Sequence, residues 1–456
     1  MKKLRIEIII PLVFTMFAAF MFGFTAPDVS ASGFSLSKWI ASLELLPQRL
    51  EYAGARTESN SDANALPLID TYSEVMERLK SDYYGSKVDE RELTYSAIRG
   101  VLHALGDPFT RFLDPDEYKK MREENEGNFI GIGAQLDTNK KGEIFVKEPL
   151  PNTPAITAGV KTNDVITAVD DKIIKGMDIE DVVKLIRGPE GTKVKLTMRR
   201  PGRTKPMNVV ITRRIVQFQM VKSMMADPKN GIGYIRLYQF NEQSDPQFND
   251  AMTALEKKHI KGLILDLRGN PGGLLQVAVD IGSRFINSGP VVIIQERGGR
   301  KNPLYVEEEK HNHKRYPLVV LVDKSSASAS EIVSGAIKDT KSGTLVGTVT
   351  FGKGRVQTIM PMQDGSAVAI TTAKYLTPNG TDIHHKGISP DYFVEQPDPE
   401  TVIAKLPKAK QDDYDPMDPK YDVQLNEAVK VMKVKMGILP KNTLDKLKTT
   451  AKAVKK

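Results

Sequence analysis

The sequence predicts a multidomain α/β protein in which a small β-rich domain is inserted ahead of a larger α/β core, with helical regions at both ends. Three observations support this class. The chain has 456 residues, which exceeds one ordinary hydrophobic core. Short β-rich runs, punctuated by Gly, Pro and Asn, extend over about residues 125–214. From Gly231 onward, apolar strand-like runs alternate with amphipathic helical runs.

The first 31 residues predict export from the cytoplasm. A positive stretch, MKKLR, precedes the run IEIIIPLVFTMFAAFMFGFTA, in which Glu7 is the only charged residue. Val29-Ser30-Ala31 then has the small-residue pattern of a cleavage site. The apolar run of about 17 to 19 residues is also long enough to span a bilayer. We therefore predict that residues 1–31 are a signal peptide or a membrane anchor, and that the protein is secreted or held at the outer face of the cytoplasmic membrane.

Helical periodicity flanks the two central domains. Residues 34–122 contain apolar positions at helical spacing and predict a small helical region. Residues 396–456 are rich in Pro and Lys, become helical over VQLNEAVKVMKVKMG, and end in a basic stretch. An amphipathic helix must bury its apolar stripe. The helices near residues 70–105 and 422–436 are therefore expected either to dock on the core or to form a homodimer interface.

The central part of the chain is assigned to two domains. The β-rich domain covers residues 125–214 and contains one clear helix, MDIEDVVKLIRG, with Asp178 as its expected N-cap and Gly188 as its stop. The α/β core covers residues 215–395. Its apolar runs KGLILDLRGN and YPLVVLVD predict strands that are buried on both faces.

Composition excludes several kinds of site. The chain has no cysteine, which excludes disulfides, thiolate metal ligands and cysteine nucleophiles. Its six histidines form no H-E-x-x-H pattern, and we predict neither a metal nor a cofactor. The net charge is +8, but zinc-finger spacing and aromatic-rich basic motifs are lacking, so no nucleic-acid partner is expected.

A glycine-bearing loop, Ile130-Gly131-Ile132-Gly133, lies near the start of the β-rich domain. By itself it also fits an ordinary hairpin. The stretch that follows, PNTPAITAGVKTNDVITAVDDKIIKGMDIEDVVKLIRG, resembles the PDZ domains of bacterial proteases. Such domains bind a peptide's C-terminal carboxylate with backbone N–H groups of this loop and take up the peptide as an added strand. Arg187, at the end of the groove helix, is expected either only to cap that helix or also to link peptide binding to the core.

Four serines crowd the stretch SSASAS, which joins a predicted buried strand to a predicted helix. They are Ser325, Ser326, Ser328 and Ser330. A strand-to-helix turn places side chains beside unpaired N–H groups at the positive end of a helix. Such N–H groups stabilise a developing oxyanion. The alternative, in which Ser325 or Ser330 caps the helix, accounts for only one or two of the four.

Two further motifs carry residues of catalytic type. In ILDLRGNPGGLL, Asp266 and Arg268 end a buried strand, and glycines such as Gly272 let backbone N–H groups approach a site closely. In TFGKGRVQT, Lys353 lies between two glycines, and burial would lower the pKa of its amine enough to make it a base. Gln357 follows four residues later, about 13 Å away on the same face of a straight strand. Spacing alone equally fits a tight turn in the first motif and a solvated hairpin lysine in the second.

The motifs DLRGNPGG, SSASASEIVSGAIKD, TFGKGRVQT and TTAKYLTPNGTDIHHKGISPD follow a PDZ-like domain in this order. Together they resemble the carboxyl-terminal processing proteases, which are serine peptidases of the S41 family. The resemblance covers roughly residues 70–395 and is greatest to the form found in spore-forming Gram-positive bacteria. It implies an S41 core with a crotonase- or ClpP-like α/β fold.

The resemblance also implies roles for individual residues. Ser328 would be the nucleophile, Lys353 the base and Gln357 the residue that orients the lysine. The backbone amides of Ala329 and Gly272 would form the oxyanion hole. The implied activity is ATP-independent cleavage of protein or peptide substrates with accessible apolar C-termini, bound through the PDZ domain, with a possible role in regulated proteolysis during sporulation and a homodimeric state.

Two other functions were weighed from the sequence. One is a PDZ scaffold for peptide binding on an inactive protease core, and the intact Ser, Lys and Gln set argues against it. The other is a crotonase-type enzyme acting on a thioester, which the PDZ domain and Lys353 disfavour.

Overall fold

The computed structural model describes residues 65–85, 87–139, 141–407 and 418–445. It contains two compact units, residues 1–89 and 90–456. In the first unit, the described residues form one helix, whereas the predicted signal peptide or anchor lies outside the described residues. None of the helices described is long and apolar enough to cross a membrane.

The elements are numbered here in chain order. The described helices are α1 (Ala65–Asp82), α2 (Glu90–His103), α3 (Pro115–Glu126), α4 (Pro154–Thr157), α5 (Ile179–Ile186), α6 (Ser244–Glu256), α7 (Leu275–Ser283), α8 (Ala329–Asp339), α9 (Pro399–Ile403) and α10 (Val423–Lys435). The described strands are β1 (Arg111–Leu113), β2 (Asn128–Gly131), β3 (Ala134–Thr138), β4 (Ile144–Pro149), β5 (Val165–Val169), β6 (Lys172–Ile173), β7 (Lys193–Arg199), β8 (Met207–Thr212), β9 (Arg214–Gln217), β10 (Val221–Asp227), β11 (Ile232–Leu237), β12 (Gly262–Asp266), β13 (Pro290–Glu296), β14 (Lys301–Tyr305), β15 (Leu318–Val322), β16 (Thr344–Gly347), β17 (Arg355–Pro361), β18 (Ala367–Leu376) and β19 (Tyr392–Phe393).

The β-rich domain is an antiparallel sheet closed by one helix. Its strands follow the order β3-β4-β5-β7-β8, with β6 added to β5, so β3 is an edge strand. Helix α5 packs against β3 and β5, and its Val182 and Ile186 are buried in the domain core. As predicted, α5 starts after Asp178. It ends at Ile186 rather than at the expected Gly188, because the backbone of Arg187 is already extended.

The α/β core is built on a six-stranded sheet in the order β10-β11-β12-β15-β16-β19. All neighbours in it are parallel except β10 and β11. Successive residues of β12 point to opposite faces: Leu263 and Leu265 pack in the cluster formed with α6, α7 and α8, and Ile264 packs in a second cluster. The buried strands and the α/β class predicted from the sequence are therefore confirmed.

Helix α10 covers the second face of this sheet. Its Leu425, Ala428, Val431 and Met432 are buried in the same cluster as Ile264. Of the two alternatives for the helix near residues 422–436, docking on the core is the one observed, because the sheet face would otherwise expose its apolar residues to water. The apolar stripe of α10 is therefore not available as a dimer interface.

A second, antiparallel sheet has the order β1-β18-β13-β14, with β17 also paired to β18. Strand β1 comes from the predicted helical region 34–122, which is therefore not purely helical. Phe112 and Leu113 of β1 are buried, and pairing with β18 places them there. Strand β17 carries Gln357 next to the segment that contains Lys353.

The topology brings three predicted motifs to one edge of the parallel sheet. The segments around Gly272, Ser328 and Lys353 follow β12, β15 and β16, which are adjacent parallel strands. The carboxyl ends of adjacent parallel strands lie at the same edge of a sheet, which is where open α/β sheets place their ligands.

Candidate active site

Ser328 is the residue immediately before α8, and its backbone is strained. It has φ 54° and ψ −113°, and a positive φ is rare for a residue other than glycine. Its flanking serines are fully buried and bind the neighbouring loop: Ser326 Oγ donates to the carbonyl of Leu267 (2.8 Å) and Ser330 Oγ donates to the carbonyl of Asn270 (2.9 Å). The N-cap position belongs to Ser328, so the alternative in which Ser325 or Ser330 caps the helix is wrong.

Gly272 lies directly against Ser328. Its φ is +102°, and a Cβ at this position would come within 2.8 Å of Ser328 Cβ and 2.9 Å of the Ala329 nitrogen. Only glycine fits this contact. The amide of Gly272 donates to Asn270 Oδ1 at 2.9 Å, so the group predicted for the oxyanion hole is already engaged. Within the described ranges, the amides of Ala329 and Gly273 have no hydrogen-bond partner.

The loop that carries Gly272 is held by a buried ionic network around Arg268. The Arg268 side chain is 3% exposed and donates bidentately to Asp266 and to Asp422, with its shortest contacts at 2.6 and 2.7 Å. Gln424 accepts a further bond from Arg268 (3.0 Å), and the hydroxyl of Tyr234 donates to Asp266 (2.6 Å). The Arg268 charge lowers the pKa of Asp266 against the opposing effect of burial. Asp422 and Gln424 come from the C-terminal region, at the start of α10.

Lys353 lies between β16 and β17 in a segment that packs tightly on residues 383–387. A Cβ on Gly352 would come within 3.0 Å of the backbone nitrogens of Gly387 and Lys386, and one on Gly354 within 3.0 Å of the His384 nitrogen. The glycines on either side of the lysine are therefore required by the closeness of this second loop.

Glu331 joins the serine and lysine segments through one buried carboxylate. Its Oε2 accepts hydrogen bonds from the amides of both Ser328 (3.0 Å) and Lys353 (2.9 Å). Its Oε1 accepts from the Gly352 amide (2.7 Å) and the Thr350 hydroxyl (2.5 Å). The sequence analysis assigned no role to Glu331. A Glu three residues after an N-terminal Ser is a capping pattern, and that signal could have identified it.

Tyr375 makes a second connection between the same two segments. Its hydroxyl lies within hydrogen-bond distance of the carbonyl oxygens of Ser328 (3.1 Å) and Lys353. Burial, and then the negative charge of Glu331, raise the pKa of Tyr375 well above its ordinary value, so the hydroxyl stays protonated and able to donate. Glu331 and Tyr375 thus fix the backbones of Ser328 and Lys353 side by side.

The surroundings of Lys353 favour a neutral amine. Burial, and secondly the positive charge of Arg111, lower the pKa of Lys353. The negative charges of Asp107 and Glu331 oppose this lowering of the pKa. The Lys353 Nζ lies 5.0 Å from the centre of the Phe109 ring. A lysine with a lowered pKa can accept a proton near neutral pH.

Gln357 is not hydrogen-bonded to Lys353. Its Nε2 donates to the Thr371 hydroxyl at 3.3 Å. The register shifts between Val356 and Gln357, where β18 carries one extra residue, Thr372, so the glutamine pairs with Thr371 on β18. The structure therefore brings the segments of Ser328, Lys353, Ala329 and Gly272 together, whereas the side chain of Gln357 contacts Thr371 instead of the lysine.

The predicted peptide-binding residues have different environments. Ile130 and Gly131 belong to β2, which pairs with β9 and not with the sheet of the β-rich domain. Ile132 is buried in the core of that domain. Gly133 has φ +77°, and its carbonyl accepts from the Leu150 amide at 2.9 Å. The loop therefore lies between β2 and the edge strand β3.

Arg187 connects the end of α5 to α3. Its Nη1 lies 2.7 Å from Glu123 Oε2, and its guanidinium lies 5.2 Å from the centre of the Phe129 ring. The Arg187 and Glu123 side chains are 39% and 22% exposed, so this link is half-open to water.

The fold and this site define a serine-type peptidase with a peptide-binding domain, and comparisons with known proteins agree. Residues 231–394 match the model of peptidase family S41, and residues 145–200 match that of the PDZ domain. The carboxy-terminal processing protease CtpA of Bacillus subtilis is 40% identical over 355 residues, covering 78% of this chain and 73% of the relative. The corresponding protease of Bartonella bacilliformis is 37% identical and covers 82% and 90%. The chain therefore belongs to the carboxy-terminal processing proteases of family S41.

A second relative from Bacillus subtilis and one solved structure are also similar to this chain. CtpB of Bacillus subtilis is 37% identical, covering 76% of this chain and 72% of the relative. Among solved structures, a photosystem II D1 C-terminal processing protease is 34% identical, with a TM-score of 0.43, and the match covers 73% of this chain and 90% of that one. The activity and fold family predicted from the sequence are confirmed: this is a serine-type carboxyl-terminal processing peptidase with a PDZ domain.

Proposed function

We propose that this peptidase is an exported, ATP-independent endopeptidase in which Ser328 is the nucleophile and Lys353 the general base. The observation that carries the proposal is the shared carboxylate oxygen of Glu331, which accepts from the amides of both residues. It supports a fixed placement of a strained serine beside a lysine whose pKa is lowered.

The proposed reaction is acyl transfer. Ser328 Oγ attacks the carbonyl carbon of the scissile peptide bond while Lys353 Nζ takes the hydroxyl proton. The amide of Ala329 and an amide of the Gly272-Gly273 pair stabilise the oxyanion. The Gly272 amide must first give up its hydrogen bond to Asn270 Oδ1, whereas the Gly273 amide has no partner among the described residues. Lys353 then gives its proton to the leaving amine, and an ester on Ser328 remains. Water, deprotonated by Lys353, hydrolyses this ester and regenerates the hydroxyl.

We assign substrate recognition to residues 125–214 and catalysis to residues 215–395. The edge strand β3 and the adjacent α5 support the addition of a substrate C-terminus as an extra strand. In this proposal, amides of the loop from Ile130 to Gly133 bind the terminal carboxylate, and an apolar terminal side chain is preferred. Gln357 supports the active site indirectly, through Thr371.

The proposed location and biological role rest on sequence patterns and on similarity to known proteins. The pattern in residues 1–31 supports an extracytoplasmic protein, secreted or associated with the membrane through its N-terminus. A role in regulated proteolysis during sporulation is proposed only from the resemblance of the sequence motifs to the form found in spore-forming Gram-positive bacteria. A homodimer is proposed through surfaces other than the stripe of α10. The alternative function is a PDZ peptide-binding scaffold whose protease core does not turn over.

The test is cleavage of one peptide with an apolar C-terminus by four variants. Ser328→Ala and Lys353→Ala should each lower kcat/KM at least about 10³-fold, because each removes a proton donor or acceptor of the reacting bond. Lys353→Arg should lower kcat/KM by a similar factor, since a guanidinium stays protonated and cannot accept the hydroxyl proton. Gln357→Ala should lose less activity, because its side chain contacts Thr371 and not the amine.

The control is Lys324→Ala, which removes an exposed lysine from the turn before Ser325 and should leave turnover unchanged. In the wild type, kcat should rise with pH as Lys353 loses its proton, with a midpoint below the ordinary lysine value of 10.5. Substantial turnover by a folded Lys353→Ala protein would overturn the mechanism. Peptide binding without turnover by the wild type would favour the scaffold.

A further inference from the structure

A cleft of about 430 Å³ opens beside the lysine segment, on the side of Phe109. Its walls come from residues 105–110, the first residue of β17, the middle of β18 and the loop after β18. It shares Phe109 with Lys353 and Thr371 with Gln357. The cleft therefore adjoins the lysine side of the proposed active site, and none of the proposed catalytic steps uses it.

Arg355 lines this cleft, and its guanidinium has an N–H donor without a hydrogen-bond partner among the described residues. It lies two residues after Lys353, at the start of β17. Its Nη1 is buried and has no hydrogen-bond partner in the described part of the chain, and no described carboxylate lies within 4.0 Å as an ion-pair partner. The Nδ1 atom of His384, in the same cleft, is also buried and without a partner. Buried polar atoms left without partners are rare and costly, and two in one cleft indicate a missing ligand.

The nearby carboxylates are already engaged by other donors. Asp107 accepts from the Thr110 hydroxyl (2.7 Å) and the Phe109 amide (3.1 Å). Asp382 accepts from Lys374 Nζ (3.0 Å) and the His384 amide (3.1 Å). Both carboxylates feel the charge of Arg355, which contributes to lowering their pKa values, but neither pairs with it directly. The charge of the guanidinium therefore has no direct carboxylate partner among the described residues.

We propose that the cleft at Arg355 is a substrate subsite that binds a carboxylate of the peptide close to the scissile bond. This deepens the proposed function, because it rests on Lys353 acting at that bond. A carboxylate is the anionic group that polypeptides supply, and its two oxygens match the planar donors of a guanidinium. His384 Nδ1 is placed to take part in the same contact.

The carboxylate has two sources in a peptide. It is either an Asp or Glu side chain at a fixed position near the bond, or the terminal carboxylate of a leaving fragment only a few residues long. Each source has its own set of peptides in the test. One set carries Asp or the isosteric Asn at each position from three residues before the bond to three after it. The other ends one to four residues after the bond, as a free acid or an amide.

The measured quantity is the ratio of kcat/KM for the charged and neutral members of each peptide pair. In the wild type, one pair should show a ratio of about 10 or more, the size of one good charge-assisted contact. Arg355→Gln should bring that ratio to about 1, Arg355→Lys should retain part of it, and Arg355→Glu should favour a Lys peptide at the same position. Arg300→Gln, which removes the same charge from an exposed arginine paired with Glu296, should keep the wild-type ratio.

The ratio of kcat/KM for charged and neutral peptides separates a loss of binding from a loss of folding. If Arg355 had only a structural role, its loss would lower cleavage of both peptides of a pair alike. Equal ratios in the wild type and Arg355→Gln at every position would overturn the subsite. The turnover of Ser328→Ala tests the proposed active site separately. If Ser328→Ala cleaves as well as the wild type, the proposed function itself has failed. A strong ratio only in the second peptide set assigns the site to a terminal carboxylate.

Discussion

Two arginines show how differently the catalytic core and the PDZ domain are connected to the rest of the chain. Arg268 beneath the catalytic loop is 3% exposed and is bound by two carboxylates and an amide. Arg187 at the end of the PDZ helix is 39% exposed and has one carboxylate and the face of a ring. A buried, fully paired charge has one stable arrangement, because every alternative leaves a charge unpaired. A half-exposed pair can separate with water replacing each partner.

The difference indicates that the proposed active site is held rigidly and that the connection of the PDZ domain is reversible. The serine and lysine segments are fixed by Glu331 and Tyr375, both buried. The Arg187–Glu123 link is the kind of contact that a bound peptide can break or form at small cost. Three substitutions, ordered from the largest expected effect to the smallest, test this reading.

Asp422→Asn should have the largest effect. It keeps the shape of the side chain but removes one of the two charges that pair with Arg268. Breaking a buried pair in this way costs about 3 to 5 kcal/mol, and the loop with Gly272 should lose its anchor. We expect a lower free energy of unfolding in urea. The fold decrease in kcat should be at least about ten times the fold change in KM.

Asp398→Asn is the matched control for Asp422→Asn. Both residues are helix N-caps, of α9 and α10, and Asn caps as well as Asp does. Only Asp422 is buried against an arginine, so only its variant should be affected. If both variants behave like the wild type, the catalytic loop does not depend on the C-terminal region.

Tyr375→Phe should have an intermediate effect. It removes the hydroxyl shared by the carbonyls of Ser328 and Lys353. The Ser328 carbonyl keeps the amides of Glu331 and Ile332 as donors, whereas the Lys353 carbonyl loses its donor among the described residues, and a buried acceptor left without a donor costs about 1 to 3 kcal/mol. As a positioning residue, Tyr375 should affect kcat more than KM. Tyr316→Phe removes a hydroxyl that binds Glu256 away from the site and should leave kcat unchanged. Equal losses of kcat in the two variants would show that the Tyr375 bridge is not needed for catalysis.

Arg187→Ala should change stability least, because a half-exposed pair contributes about 0 to 1 kcal/mol. If the pair transmits peptide binding, turnover should fall by more than the affinity for a C-terminal peptide. Glu123→Gln should reproduce the effect, and the double variant should add nothing further. Lys184→Ala, on the same helix, is the control. Parallel losses in turnover and binding, or none in either, would reject transmission through this pair.

The sequence predicted what depends on local pattern. Periodicity and apolar runs identified the buried strands and helix α10, and the motifs placed Ser328 at a helix start and Lys353 between glycines. The lowered pKa of Lys353 follows from burial, as expected. These features are fixed by neighbours in sequence or by the alternation of polar and apolar residues.

What the sequence did not predict depends on distant contacts or on a local irregularity. Asp422 meets Arg268 across 154 positions, and Tyr375 meets Ser328 across 47, so neither contact leaves a periodic signal. The extra residue that places Gln357 opposite Thr371 lies in the partner strand β18, so no pattern within TFGKGRVQT could indicate it. The Asn270 side chain accepts a hydrogen bond from the Gly272 amide two residues later in the same loop, and no sequence pattern indicated this contact.

The start of α10 lies far along the chain from the loop that it anchors. The last partners of Arg268 are residues 422 and 424, close to the end of the described structure. Ser328, Lys353 and Glu331 all precede Asp422 in the chain, and α10 supplies buried side chains that cover the second face of the parallel sheet. The Arg268 network, which anchors the Gly272 loop, is therefore complete only once residues 422 and 424 have joined the core.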